Sequence, residues 1–110
     1  MAKLEQTLHG NFDEILRRIT DGIVDGSVSA SLEESSDFYV GSARCSVRVF
    51  ERYSWTGSNR VSLSVTLFEN DGVIRLSAIT AGGSQAMFFK VNTMGEEAFL
   101  DELREVLEIY

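Results

Sequence analysis

The chain has 110 residues, 44% of them hydrophobic, with a formal net charge of -7, one cysteine and no proline. That length holds one domain with a modest core, and the acidic balance opposes generic nucleic-acid binding, which draws on basic neutralisation of phosphates. The single Cys45 excludes an internal disulfide framework, so a reducing compartment is the natural setting.

Residues Met1 to Gly10 lack the apolar stretch of a signal peptide, and no apolar run approaches the ~20 residues of a membrane-spanning helix. A cytoplasmic, soluble domain is therefore expected. Without proline, its turns must be made by glycine, asparagine, aspartate and serine.

From Ala2 to His9 the residues suit an edge strand, with Leu4, Gln6 and Leu8 opposite Lys3, Glu5 and Thr7. Leu4 and Leu8 would equally suit a helix. After Gly10, Asn11 and Glu14 resemble an N-cap with its supporting acid. Phe12, Ile15, Leu16 and Ile19 then recur at helical spacing, which predicts a helix of about three turns ending near Gly22.

From Gly26 the period changes to two, with Val28, Ala30 and Leu32 on one side, which predicts a strand; Glu34 to Ser42, acidic and serine-rich, reads as a surface loop. From Ala43 to Thr80 three alternating runs predict an antiparallel meander. In the first, Cys45, Val47 and Val49 are assigned inward against Arg44, Ser46 and Arg48 outward. After a loop at Thr56 to Asn59, Val61, Leu63, Val65 and Leu67 face in against Ser62, Ser64 and Thr66.

Asn70-Asp71-Gly72 is the strongest hairpin signal, since Asp-Gly tolerates the positive φ values of a tight turn. Ile74, Leu76 and Ala78 continue inward, and Gly82-Gly83 turns the chain again. Met87 to Val91 is expected to be a last strand. Thr93 and Glu96 have capping-box spacing, and Phe99, Leu100, Leu103, Val106, Leu107 and Tyr110 form the inner stripe of a closing helix whose acids point at water.

Catalytic constellations are thinly represented. A hydrolase-type nucleophile needs a base within hydrogen-bond reach, and the only histidine, His9, beside Gly10 near the N-terminus, suits an exposed strand-end residue better than a catalytic base. Cys45 among apolar neighbours suits an inert core thiol. The acids of the closing helix suit solvation better than a metal site, and no cofactor is expected.

Glu51 carries two readings. Continuing the alternation from Val49 places it inward with Tyr53 and Trp55, as a general acid or ligand anchor. A bulge at Phe50-Glu51 would instead put Phe50 inside and leave Glu51 in solvent or paired with an arginine.

Charge is also split along the chain. Six of the seventeen acids lie in the last fifteen residues, and five of the eight arginines (Arg44, Arg48, Arg52, Arg60, Arg75) lie in the meander. Interspersed with serines, these arginines would make the outer sheet face suited to phosphate, carboxylate or an acidic helix of this chain or a second subunit.

Glu51-Arg52-Tyr53-Ser54, Asn59-Arg60-Val61-Ser62-Leu63, the run from Ala78 to Lys90, Gly95-Glu96-Glu97-Ala98-Phe99-Leu100 and Phe12-Asp13-Glu14 together resemble a family of short bacterial proteins of unknown function. The resemblance covers nearly the whole chain and implies no activity. The order of elements also resembles helix-grip proteins of the Bet v 1 type, with one N-terminal helix where two are usual.

The sequence thus predicts a single α+β domain over residues 1–110: an antiparallel sheet of five to six strands, a short helix in the N-terminal half, and a C-terminal helix packed on the sheet. The expected role is a non-enzymatic interaction module, homo-oligomeric, with a small anion or an acidic partner and with neither nucleic acid nor membrane. The alternative is a ligand or enzyme pocket of helix-grip type near Glu51, with Arg52, Tyr53 and Trp55 at its mouth.

Overall fold

A computed structural model describes residues 1–54, 59–82 and 89–110. Its elements are β1 (Ala2–Leu8), α1 (Phe12–Asp25), β2 (Ser31–Val40), β3 (Ala43–Ser54), β4 (Asn59–Asn70), β5 (Val73–Gly82) and α2 (Phe89–Leu107). The five strands form one sheet in the order β1-β5-β4-β3-β2, antiparallel throughout. The expected α+β class holds, with five strands.

Each boundary has a local cause. Asn11 caps α1 by accepting the Glu14 N–H at 2.9 Å on its Oδ1, with Asp13 and Glu14 in the first turn at the positive end of the helix dipole. The helix passes Gly22 and ends at Gly26. Asp71 (φ 52°) and Gly72 (φ 80°) close the β4–β5 hairpin as its sequence predicts.

Both helices lie on the same face of the sheet. Phe12, Ile15, Ile19 and Ile23 of α1, and Phe99, Leu100, Leu103 and Leu107 of α2, are buried against Phe50, the inward residues of β4 and β5, and Leu8. The other face of the sheet has no described element over it.

Several expectations are corrected. Glu34 to Ser42 is not a loop: Ser31–Val40 is a strand paired along β3, and Gly41 (φ 58°) and Ser42 make its turn. Its residues from Leu32 onward are exposed on both faces, so it carries no apolar alternation to read. Val28, expected in that strand, sits fully exposed in the turn before it.

The expected strand Met87–Val91 falls partly outside the described residues, and from Phe89 onward the chain is already helical. Thr93 therefore lies within α2 rather than at its cap.

The largest correction is the phase of β3. Register pairs Phe50 with Leu63, Arg48 with Val65, Ser46 with Leu67 and Arg52 with Val61, all partners on the helix-covered face. Arg44, Ser46, Arg48 and Arg52 thus point inward, while Cys45, Val47, Val49 and Glu51 lie on the open face. No bulge resets β3; its pairing with β4 is unbroken from Arg44 to Ser54. The bulge is in β2, between Leu32 and Glu34.

The stems of Arg44 and Arg52 pack beneath the helices against Phe12 and Phe99, and the guanidinium groups of Arg44, Arg48 and Arg52 are held by Asp13, Asp37 and Glu102.

Candidate functional site: the open sheet face

The arginines singled out by the sequence divide into two groups. Arg44, Arg48 and Arg52 brace the covered side. Arg44 stacks on Phe12 with its guanidinium carbon 3.9 Å from the ring centroid, and it pairs with Asp13 at 2.9 Å. Both contacts tie β3 to the start of α1, and the Asp13 hydrogen bond holds the guanidinium pKa above its ordinary value.

Arg48 pairs with Asp37 on β2 at 3.0 Å, and the buried Ser46 hydroxyl donates to the same carboxylate at 2.5 Å. These two hydrogen bonds, Ser46 first, hold the Asp37 pKa below the usual carboxylate range. Arg52 stacks on Phe99 at 4.5 Å and pairs with Glu102 of α2 at 2.5 Å. Two of the three arginines therefore dock this chain's own helices, one arrangement the sequence admitted.

Acids of α2 are correspondingly not all in solvent. Glu96 is buried and accepts the Gly82 N–H at 2.7 Å while pairing with the Met1 ammonium at 2.7 Å. Glu102 lies against Gly26, where an added Cβ would stand 1.6 Å from its Oε1. A Cβ at Gly22 would stand 2.6 Å from Val106. The two glycines, one helical turn apart, let α1 and α2 approach closely.

The remaining candidates, Glu51, Tyr53, Arg60 and Arg75, share the open face. Trp55 lies outside the described residues. Arg60 donates through Nε to Glu51 Oε1 at 2.7 Å, the arginine pairing that the second reading of Glu51 required. Beside them, Ser62, Ala81 and Gly82 complete the described lining of an open depression of about 350 Å³.

Cross-strand register arranges this face in rows. One row runs Phe38, Cys45, Phe68, Arg75, Thr7; the next Ser36, Val47, Thr66, Ser77, Glu5; the next Glu34, Val49, Ser64, Ile79, Lys3. Hydroxyls of β4 thus form a central column, with Val49 and Ile79 beside Ser64 and Val47 beside Thr66, and Phe38, Phe68 and Ile79 are exposed.

Positive and negative charges are nearly balanced on this face. The register places Lys3, Arg60 and Arg75 on it together with Glu5, Glu34 and Glu51, three bases and three acids. Glu33, in the β2 bulge and hydrogen-bonded to Ser31, adds one acid at the margin. Nearly all of the net charge of -7 is therefore carried elsewhere.

Sequence reasoning missed Lys3, Glu34, Phe68 and Ile79 as members of one surface. The signal that could have found them is Phe50. A phenylalanine in the same phase as Arg44 and Arg48 marks that phase as the buried one, and every partner follows from it. Among the described residues no group of three His, Cys, Asp or Glu side chains is placed to hold a metal ion, and no helix is long and apolar enough to cross a membrane.

The chain belongs to a family of unknown function, DUF6054, which it matches over residues 1–110. Its fold is similar to that of a protein of unknown function from Pseudomonas aeruginosa, at 8% identity and a TM-score of 0.52, covering 88% of this chain and 78% of that one. It is also similar to a hypothetical protein from Helicobacter pylori, at 11% identity and a TM-score of 0.51, covering 92% and 83%. No curated protein matches.

Proposed function

We propose that this member of the family is a non-enzymatic interaction module that works through the open face of its sheet, and that the surface seated there is a second copy of the chain. The observation that carries the reading is the contrast between the faces. One face is buried under two helices, whereas the other presents Val47, Val49, Phe68 and Ile79 within a nearly neutral field on a chain of net charge -7.

Two acidic copies meeting through their helical layers would set Glu97, Asp101, Glu105 and Glu108 against like charges; meeting through the sheet face avoids that cost. The β2 edge is a poor alternative, because its bulge and Glu33, Glu34 and Asp37 oppose strand addition.

The size is adequate. The three full rows, with the shorter row Glu51, Ser62 and Ala81 beside them, make a patch of roughly 24 by 27 Å, whose flat area of about 650 Å² approaches the ~800 Å² per partner of a standard interface once side-chain relief is counted.

Light scattering over a dilution series tests the reading. Wild type is expected to approach twice the 12.2 kDa chain mass, and Thr66→Arg, in the central hydroxyl column, to remain at 12.2 kDa with unchanged circular dichroism. A wild type that stays at the chain mass up to about millimolar concentration would overturn it.

A further inference from the structure

The open face carries its own instructions for how two copies would align, and this inference rests on the self-association just proposed. We infer that the two sheets stack about a twofold axis running parallel to the strands along β4, so that Lys3 of each copy meets Glu34 of the other.

The argument starts from the row Glu34, Val49, Ser64, Ile79, Lys3. β4 is the middle strand of five, so Ser64 sits at the centre of this row. Apolar Val49 and Ile79 flank it, and opposite charges close the two ends. Reversing the row about its centre and laying it on itself places Val49 on Ile79, Ile79 on Val49, and each end charge on its opposite.

Two sheets packed face to face with their strands aligned have two families of in-plane twofold axis, along the strands or across them. Aligned sheets pack ~10 Å apart with strand directions within about 30°, so the rows of the two copies remain in approximate register. An axis across the strands through the same row would set Lys3 on Lys3 and Glu34 on Glu34. Like charges at a rim oppose association. The charge pattern therefore selects the axis along β4.

The rest of the face is compatible with that choice. Thr66 meets Thr66 and Ser64 meets Ser64, small side chains that permit close approach at the axis. Phe68 meets Phe68 near one end, where offset aromatic stacking is favourable. Arg60 approaches Arg60 at the other end, each already paired with its own Glu51 at 2.7 Å. Within one copy, Lys3 contacts Glu5 only loosely, at 3.6 Å with both side chains more than half exposed, so it is available to a partner.

A charge-exchange experiment on the full chain tests the axis. Lys3→Glu alone and Glu34→Lys alone each place two like-charge contacts in a symmetric dimer and are expected to weaken self-association roughly ten-fold or more at low salt. The double variant Lys3→Glu/Glu34→Lys should restore wild-type dissociation. Equimolar mixing of the two single variants should also restore it, because each mixed pair again sets opposite charges together.

Both positions are exposed, so folding should be unaffected. A double variant as weak as the singles, with no recovery on mixing, would overturn the axis while a dimeric wild type left the interaction reading standing. A monomeric wild type would overturn both.

Discussion

Arg52 donates to Glu102 Oε2 at 2.5 Å while its guanidinium lies over the Phe99 ring, and the other oxygen of the same carboxylate is buried with no hydrogen-bond partner. The pair joins β3 to α2 beneath the helical layer. Burial raises the Glu102 pKa above its ordinary value; Arg52 opposes that shift and nearby Glu105 adds to it.

A raised carboxylate pKa has a definite sign. Between the unfolded and folded pKa the folded chain keeps a proton that the unfolded chain has released. This group therefore makes folding less favourable as pH rises through that window and more favourable as it falls. Glu102→Gln removes that dependence. Melting temperatures of the two proteins, compared from about pH 7 down to about pH 5, should show wild type gaining relative to Glu102→Gln. A pH-independent difference would refute the assignment. Asp37 acts in the opposite sense: its lowered pKa contributes stability above the unfolded value, lost as pH falls through the folded one.

The close approach of α1 and α2 rests on Gly26 as well. An alanine there would drive its Cβ against Glu102 Oε1, at 1.6 Å, and the Gly22 carbonyl, at 2.8 Å. Gly26→Ala is expected to cost about 1–3 kcal/mol in denaturant unfolding. Part of that cost should disappear in a Glu102→Ala background, because the nearer clash is removed. A strictly additive double-mutant cycle would show that the two positions do not meet.

Arg48 separates structural from functional arginines. Arg48→Glu sets a second carboxylate against Asp37 on the neighbouring strand, and should lower stability by about 1–2 kcal/mol in chemical denaturation. It should leave the mass of the native assembly unchanged, because Arg48 is on the covered face. A variant of unchanged stability and altered mass would reverse that placement.

Much of the fold was legible from its periodicity. β1, α1 with its Asn11 cap, β4, the Asp71-Gly72 turn and β5 follow their sequence patterns, because each has one face against the core. β2 was hidden because an edge strand exposed on both sides has no burial pattern.

The phase of β3 was hidden for a different reason. Three apolar residues, Cys45, Val47 and Val49, occupy the open face, while Arg44, Arg48 and Arg52 occupy the covered one. A count of apolar residues therefore points the wrong way. Arginine over an aromatic ring behaves as a packing residue with a charged tip, and that role depends on Phe12 and Phe99, far away in sequence. The site moved with the phase: the serines and arginines expected on one surface lie largely on opposite ones.

The most direct test of an occupied sheet face uses the chain's single cysteine, since Cys45 lies between Phe38 and Phe68 on that face, partly exposed in the isolated chain. Alkylation of native protein, followed by mass spectrometry across a dilution series, should slow as concentration rises, and should stay fast at every concentration in Thr66→Arg. A Cys45 alkylation rate that is the same at all concentrations, and the same in both proteins, would contradict the account.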